Sequence, residues 1–302
     1  MKKFGLLGEH LGHSFSKGIH EHYFEKEKID GNYTLIEKNI NEIESLMTEL
    51  REKKYDGINV TIPYKVEVMK YLDDISDESI KIGAVNTILS KDGKLYGHNT
   101  DYFGFKKTLE YNKIDVCNKK VLILGTGGAS KAVYSVISDL GASNIYLASI
   151  VENDKFPVKG KDYLIRYSDI KDLTDIELIV NCTPSGMYPQ LNQAPLNAEQ
   201  EIPANNLVDI IYNPEITTLM LKYSIKGANV VNGLMMLVAQ AIKSEEIWNE
   251  KEFSDDRYIE EAELLEAGQE QFDKYQRPTR SFTIQLSSFV NSIESQHIGN
   301  RL

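Results

Sequence analysis

The stretch V-L-I-L-G-T-G-G-A-S, residues 121–130, decides the fold. Its first four residues are apolar without a break, which suits a parallel strand covered on both faces. The chain then enters Gly125-Thr126-Gly127-Gly128-Ala129-Ser130, and residues 130–140 read as a helix closed by Gly141. Strand, glycine turn and helix in this order suit a dinucleotide. The first glycine permits the tight turn, the second lets backbone approach a pyrophosphate, and the helix N-terminus meets its charge. Ser130 stands where a third glycine often sits. A purely structural turn is the competing reading, and the flanking elements favour the dinucleotide. The ribose of such a cofactor should meet the end of the next strand, Ala148-Ser149-Ile150-Val151-Glu152. A 2′-phosphate wants an arginine there and a free 2′-hydroxyl wants an acid. Neither falls at the strand end; Glu152, Asp154 and Lys155 lie slightly beyond, so NAD and NADP both stay open.

Outward from this turn, strands alternate with helices. Strands are expected at 4–7, 33–37 and 57–62, the last stopped by Pro63, with helices at 16–28, 40–53 and 66–72. A hairpin is expected from 84–90 and 94–97 around Asp92-Gly93. Further on, 105–112 reads as a helix, 145–147, 178–181 and 207–210 as strands, and 231–248 as a long apolar helix. The alternation implies an α/β fold with mainly parallel sheets. Residues 255–273 hold eight acidic residues and one arginine, and 259–275 could form a solvated helix.

At 302 residues the chain is long for one domain and comfortable for two. The net charge of −11 disfavours nucleic acid and anionic membrane as partners, which need a basic face. It leaves room for an anionic small molecule in a local pocket. Cys117 and Cys182 form no C-x-x-C pair, and two lone thiols suit a reducing cytosol, so a cytoplasmic location is expected. No stretch approaches the ~18 apolar residues of a membrane span. His10, His13, His20 and His22 crowd one region, but no carboxylate spacing supports a metal there, and none is expected.

Two charged residues close unusual polar phrases. Lys65 ends N-V-T-I-P-Y-K (59–65), at the C-terminal end of an expected strand, the edge that faces the ligand crevice in open α/β sheets. Asp101 ends N-T-D (99–101), shortly after A-V-N-T (84–87). A lysine beside a carboxylate can serve proton transfer. Singly, Lys65 reads as a surface lysine and Asp101 as an N-cap. Ser14 and Ser16, in G-H-S-F-S (12–16), could donate to a substrate carboxylate or could equally cap the next helix.

Together these phrases resemble the shikimate dehydrogenase family, in its order, over about residues 4–250. N-C-T-P-S-G-M (181–187), D-I-I-Y-N-P (209–214) and N-G-L-M-M-L-V-A-Q (232–240) extend the match. The resemblance implies reversible NADPH-linked reduction of 3-dehydroshikimate to shikimate, on the route to chorismate and aromatic amino acids. It implies a two-domain α/β protein: a substrate domain at 1–103 completed by helices in 233–252, and a Rossmann-like dinucleotide domain at 104–232. Residues 253–302 match nothing in the family and form an atypical acidic and polar extension. By position, the resemblance makes Lys65 and Asp101 the catalytic pair. It gives Ser14 and Ser16 the substrate carboxylate, Thr61, Asn86 and Gln240 the ring hydroxyls, Asn59 the shaping of the pocket and Tyr212 a further substrate contact. Cofactor residues would be Gly125, Thr126, Gly127, Gly128, Ala129, Ser130, Ser149, Thr183, Ser185, Met187 and Gly233. The family's asparagine–arginine–threonine phrase is Ser149-Ile150-Val151 here. Ile150 therefore stands where the phosphate-clamping arginine is usual, and NAD joins NADP as an expected cofactor. The rival readings are an NAD-using quinate/shikimate dehydrogenase, a methylene-tetrahydrofolate dehydrogenase, and a catalytically idle ligand-sensing relative. The expected partner is a small-molecule substrate, and the expected state a monomer or homodimer.

Overall fold

The computed structural model describes residues 1–12, 14–254 and 257–260, so His13 and most of the expected helix at 259–275 lie outside the described residues. Among these, twelve strands form two six-stranded sheets. The first contains β1 (Lys2–Gly8), β2 (Gly31–Glu37), β3 (Gly57–Val60), β4 (Asp74–Ile75), β5 (Thr87–Lys91) and β6 (Lys94–His98), in the order β2-β1-β3-β5-β6-β4. It is mixed rather than mainly parallel. β1 runs parallel to β2 and β3, but the hairpin at Asp92-Gly93 turns the chain, so β5 is antiparallel to both β3 and β6. That reversal has a consequence for function. It sets Asn59 opposite Thr87, and Thr87 opposite His98. The C-terminal ends of β1, β3 and β6 and the N-terminal end of β5 therefore share one sheet edge.

Helices α1 (Ser16–Glu27), α2 (Ile43–Arg51) and α3 (Asp77–Ile82) connect these strands. The helical spacing at 40–53 divides into a 3-10 turn at Ile40–Glu42 and then α2, because Asn39 caps the turn with Glu42 reaching back. Residues Glu67–Tyr71 are likewise a 3-10 turn. β3 stops at Val60, two residues short of the expected end, because a turn already begins at Ile62.

Helix α4 (Thr100–Tyr111) leads to the second sheet, which is parallel throughout: β7 (Lys120–Leu124), β8 (Asn144–Ser149), β9 (Tyr163–Arg166), β10 (Ile176–Asn181), β11 (Ala204–Asp209) and β12 (Asn229–Val231), ordered β12-β11-β10-β7-β8-β9. The apolar run of β7 is fully buried on both faces. Val121 and Ile123 join Phe105 and Leu109 of α4 and Val133 and Ile137 of α5 (Gly128–Asp139). Leu122 and Leu124 join Leu219 and Tyr223 of α6 (Thr218–Ile225). Each side chain in this strand removes most of its apolar area from water, at ~25 cal/mol per Å².

After β12, α7 (Leu234–Asn249) returns to the first sheet. Met236 packs in the cluster with Phe105, while Trp248 stacks on Phe4 at 4.5 Å and donates Nε1–H to the Ile88 carbonyl at 3.0 Å. Helices α4 and α7 thus join the two sheets, and residues 1–258 form one compact unit. α4 runs unbroken through the boundary expected at 103/104. Part of the atypical extension also belongs to this unit. Phe253 meets Tyr23 edge-on at 5.8 Å, Tyr258 is buried against Phe103, and Arg257 pairs with Glu27 at 2.5 Å. No helix among the described residues is long and apolar enough to cross a membrane.

Candidate active site

Asn99 starts α4: its side chain accepts from the N–H of Tyr102. Asp101 is consequently not the cap, as it read singly, but a residue of the first helical turn, where the helix N-terminus favours its negative charge. The same geometry turns it toward the loop after β3. Lys65 Nζ donates to Asp101 Oδ2 at 2.5 Å, and Asn86 Nδ2 donates to Asp101 Oδ1 at 2.9 Å. The lysine and aspartate side chains are 14% and 10% exposed, so the pair reaches solvent through a small opening. A lysine this enclosed is not a surface lysine after a turn.

Behind the pair lies a buried polar network. Asn86 Oδ1 accepts from the Thr100 N–H at 2.7 Å, which fixes the amide that holds Asp101. Thr87 Oγ1 donates to Asn86 Oδ1 and accepts from Asn59 Nδ2. Asn59 also donates to Ser244 Oγ at 2.9 Å and accepts from the Tyr33 hydroxyl at 2.8 Å. Ser244, fully buried on α7, meets Thr87 and Thr100 as well and donates to the Gln240 carbonyl. Buried polar groups are costly unless partnered, and a satisfied network fixes one arrangement. Here it fixes β3, β5, α4 and α7 around the Lys65–Asp101 pair. Asn59 and Asn86 therefore give their amides to the scaffold beneath the pocket. Thr87, Thr100, Ser244 and Tyr33 belong to this network, and only the strand pairing exposes it.

Thr61 follows β3 at the same edge and is half-buried. On α7, Gln240 donates Nε2–H to the Leu237 carbonyl and lies 3.5 Å from the Thr100 hydroxyl, one turn before Ser244. Ser14 lies in the loop after β1, and Ser16 is the first residue of α1. Neither caps α1: Phe15 is the N-cap and offers no side-chain bond, while Ser14 Oγ accepts from the Ser16 N–H at 3.3 Å. Phe15, between the two serines, meets the Tyr212 ring edge-on at 5.4 Å and 88°. That contact brings the serine loop of the first sheet against the loop after β11.

At the second sheet the candidate residues line the C-terminal edge, where open α/β sheets bind ligands. Gly125 has φ +91°, and a Cβ there would lie 2.9 Å from Thr183 Cγ2, so the turn after β7 and the turn after β10 touch. Gly127 precedes α5 and Gly128 begins it; a Cβ at either would meet open space. Ala129 follows in the first turn of α5. Ser130 turns inward instead: it is fully buried and donates to the Gly127 carbonyl at 2.5 Å, so it props the turn and does not face the opening. Thr183 donates to Asn181 Oδ1, Ser185 N–H donates to Thr183 Oγ1, and Met187 stands outward, 45% exposed. Gly233 precedes α7 with its N–H on the Ile211 carbonyl; a Cβ would fall 2.0 Å from the Ile210 carbonyl oxygen, so only glycine permits this approach. The segment before it is held by Asp209, which accepts from Asn181, Thr217 and the Ile211 N–H. Burial raises the Asp209 carboxyl to about 6 against those three hydrogen bonds, and burial likewise pushes the neighbouring Cys182 thiol up.

The pyrophosphate end of a dinucleotide fits these residues, since open N–H groups precede a helix N-terminus. The adenosine end differs. Ser149 closes β8, and Ile150 is 88% exposed. The loop beyond folds Asp154 back, so that Thr126 Oγ1 and Ser149 Oγ both donate to its Oδ2, at 2.6 and 2.5 Å. Burial raises this carboxyl, but the hydroxyl bonds from Ser149 and Thr126 and the N–H of Phe156 outweigh it and hold the group below the usual carboxylate range. Of the histidines, His20 is buried, bonded to Glu245 at 2.6 Å and stacked on Tyr33. Among the described residues no cluster could hold a metal.

The family model for the shikimate dehydrogenase substrate binding domain matches residues 6–88. A curated relative from Clostridium beijerinckii, named shikimate dehydrogenase (NADP(+)), is 44% identical over 252 residues, covering 83% of this chain and 93% of its own length. Among solved structures, shikimate dehydrogenase 1 from Peptoclostridium difficile superposes with a TM-score of 0.82 at 40% identity, over 88% of this chain and 98% of that one. Shikimate 5-dehydrogenase from Listeria monocytogenes, solved with shikimate and NAD, gives 0.76 at 29% identity, over 86% and 96%. With the motifs, the two sheets and these matches in agreement, the chain belongs to the shikimate dehydrogenase family.

Proposed function

We propose that this chain catalyses the reversible, NADP-linked reduction of 3-dehydroshikimate to shikimate, in the biosynthesis of chorismate and aromatic amino acids. The observation that carries the reading is the enclosed Lys65–Asp101 pair, held by Asn86 at a sheet edge that α4 and α7 join to the second sheet. A nicotinamide held by these residues would supply hydride to the ketone carbon. Lys65 Nζ donates a hydrogen bond to the ketone oxygen, stabilises the negative charge that grows there and sits where a proton can be delivered. Asp101 orients the ammonium and accepts from the neighbouring substrate hydroxyl. Which of the two passes the proton is a property of the pair, since such groups titrate together.

Ser14 and Ser16 donate to the substrate carboxylate, and Thr61 and Gln240 bind ring hydroxyls. Asn59 and Asn86 hold the floor. Tyr212, against Phe15, covers the pocket and excludes water. Gly125 to Ala129, with Thr183, Ser185, Met187 and Gly233, form the cofactor wall. The enzyme is cytoplasmic, a monomer or homodimer, and its partners are small molecules. Absorbance at 340 nm with shikimate and NADP tests the reading. A steady rise is expected; no reduction of NADP or of NAD, with shikimate bound, would leave a ligand sensor instead.

A further inference from the structure

We infer that Asp154 reads the adenosine ribose and makes this site accept NAD(H) alongside NADP(H). The inference rests on the dinucleotide reading of the glycine turn, not on the identity of the substrate. Three observations carry it. First, the carboxylate is placed where the ribose lands: it is tied to Thr126 within the glycine turn and to Ser149 at the end of β8. An acid in this region accepts the ribose 2′-hydroxyl, and it usually lies ~20 residues after the turn. Asp154 lies further along the chain, and the loop at 150–153 brings it back. Second, Oδ2 takes both hydroxyls, Oδ1 takes the Phe156 N–H at 2.9 Å, and the Lys155 N–H bonds the same carboxylate. A carboxylate accepts about four donors, so a ribose hydroxyl would exchange with the Thr126 or Ser149 hydroxyl, either of which can rotate away. It has no proton to give a phosphate. Third, the strand end supplies no cation: Ile150 and Val151 are exposed where an arginine would clamp a 2′-phosphate. The neighbouring cations are Lys155 beside it in sequence and Arg166, which pairs in register with Ser149 on β9. A 2′-phosphate entering here gains what those two offer and meets a fixed negative charge. A 2′-hydroxyl meets an acceptor.

The test is calorimetric titration of the full chain with NAD, NADP, 5′-AMP and adenosine 2′,5′-bisphosphate, without shikimate. NAD and NADP should bind within about tenfold of each other. Asp154→Asn should tighten NADP and the bisphosphate about tenfold, the effect of one like charge removed at close range, and leave NAD and 5′-AMP unchanged or weaker. If that variant unfolds, the ratio of bisphosphate to 5′-AMP affinity on the unaltered chain still decides. NADP or the bisphosphate binding more than about 100-fold tighter than its dephospho counterpart would overturn the inference. So would a ratio unmoved by Asp154→Asn and lost in Arg166→Ala. Because shikimate is absent, failure here leaves the proposed reaction standing, and an inactive chain with the expected nucleotide pattern would sink the reaction alone.

Discussion

The two sheet edges that form the candidate site are built in opposite ways. At the first, the working groups are side chains, and other side chains hold them: Lys65 by Asp101, Asp101 by Asn86, Asn86 by Thr87 and Thr100, and those two threonines by Ser244. At the second, the working groups are backbone. Gly127 and Gly128 face open space, Gly125 and Gly233 allow close backbone approaches beside them, and side chains such as Ser130 and Asp209 only prop these turns. A reaction at one ketone needs a proton-handling group at one point, which only a side chain can supply. A pyrophosphate needs several N–H donors converging, which backbone supplies without rotamer entropy. The first edge should therefore fail by deletion and the second by addition.

The largest effect tests the first half of that contrast. Lys65→Ala should lower kcat by about 10³-fold, the scale of losing a charge-stabilising, proton-handling group. Shikimate Kd should stay within about tenfold. Near-normal turnover would remove the dyad from the mechanism. The second half is tested at Gly125. Gly125→Ala adds a methyl at φ +91° against Thr183, and such strain costs roughly 1–3 kcal/mol. NADP affinity should fall at least tenfold with shikimate affinity little changed. An equal loss for both ligands would mean that the two edges are not separable. Ser244→Ala then sharpens the comparison. It deletes one buried hydroxyl beneath the dyad, with a stability cost of about 1 kcal/mol. A fall in kcat of about fivefold is expected at unchanged NADP KM. A change confined to stability would make the network a scaffold only.

The two edges were also unequally legible in the sequence. β7 and its glycine turn could be read directly, because a continuous apolar run and three glycines are local signals. Lys65 and Asp101 could be read because each closes a polar phrase at the end of an element. The network between them could not. Asn59 faces Thr87 only because β5 runs antiparallel to β3, and a hairpin signal says nothing about which strand lies beside it. The partners of Asn86 and Asn59, Asp101 and Thr100 for the one and Thr87, Ser244 and Tyr33 for the other, lie on elements that spacing alone does not bring together. Among the elements, β9 has no clean alternation of burial and β4 spans two residues, so neither leaves a period to detect. α3 carries only two buried positions, Ser79 and Ile82. Asp154 lay outside the strand-end window because the fold-back of its loop is set by hydrogen bonds to Thr126 and Ser149, not by spacing.

The smallest expected effect on turnover concerns the props of the second edge. Burial favours the neutral form of Asp209 and raises its carboxyl to about 6, from an ordinary 3.8. Below pH ~4 the group is protonated whether or not the chain is folded. As pH rises through the window to about 6, the unfolded chain releases this proton first, so the folded state binds more protons and stability falls with pH. At ~1.4 kcal/mol per pH unit, the accumulated cost by neutral pH is roughly 3 kcal/mol. Asp209→Asn removes the titration and keeps the hydrogen bonds. The amide oxygen accepts from Asn181 and Ile211, and the amide nitrogen donates to Thr217 Oγ1, which can reverse its role. Urea unfolding at pH 4.5, 5.5 and 7 should show the variant gaining on the unaltered chain as pH rises, while kcat with shikimate stays within about twofold. A stability difference that does not change with pH would mean that Asp209 ionises as an ordinary carboxylate. The segment from Ile211 to Gly233 would then be held by a charged group, and the second edge would depend on side-chain charge as much as the first.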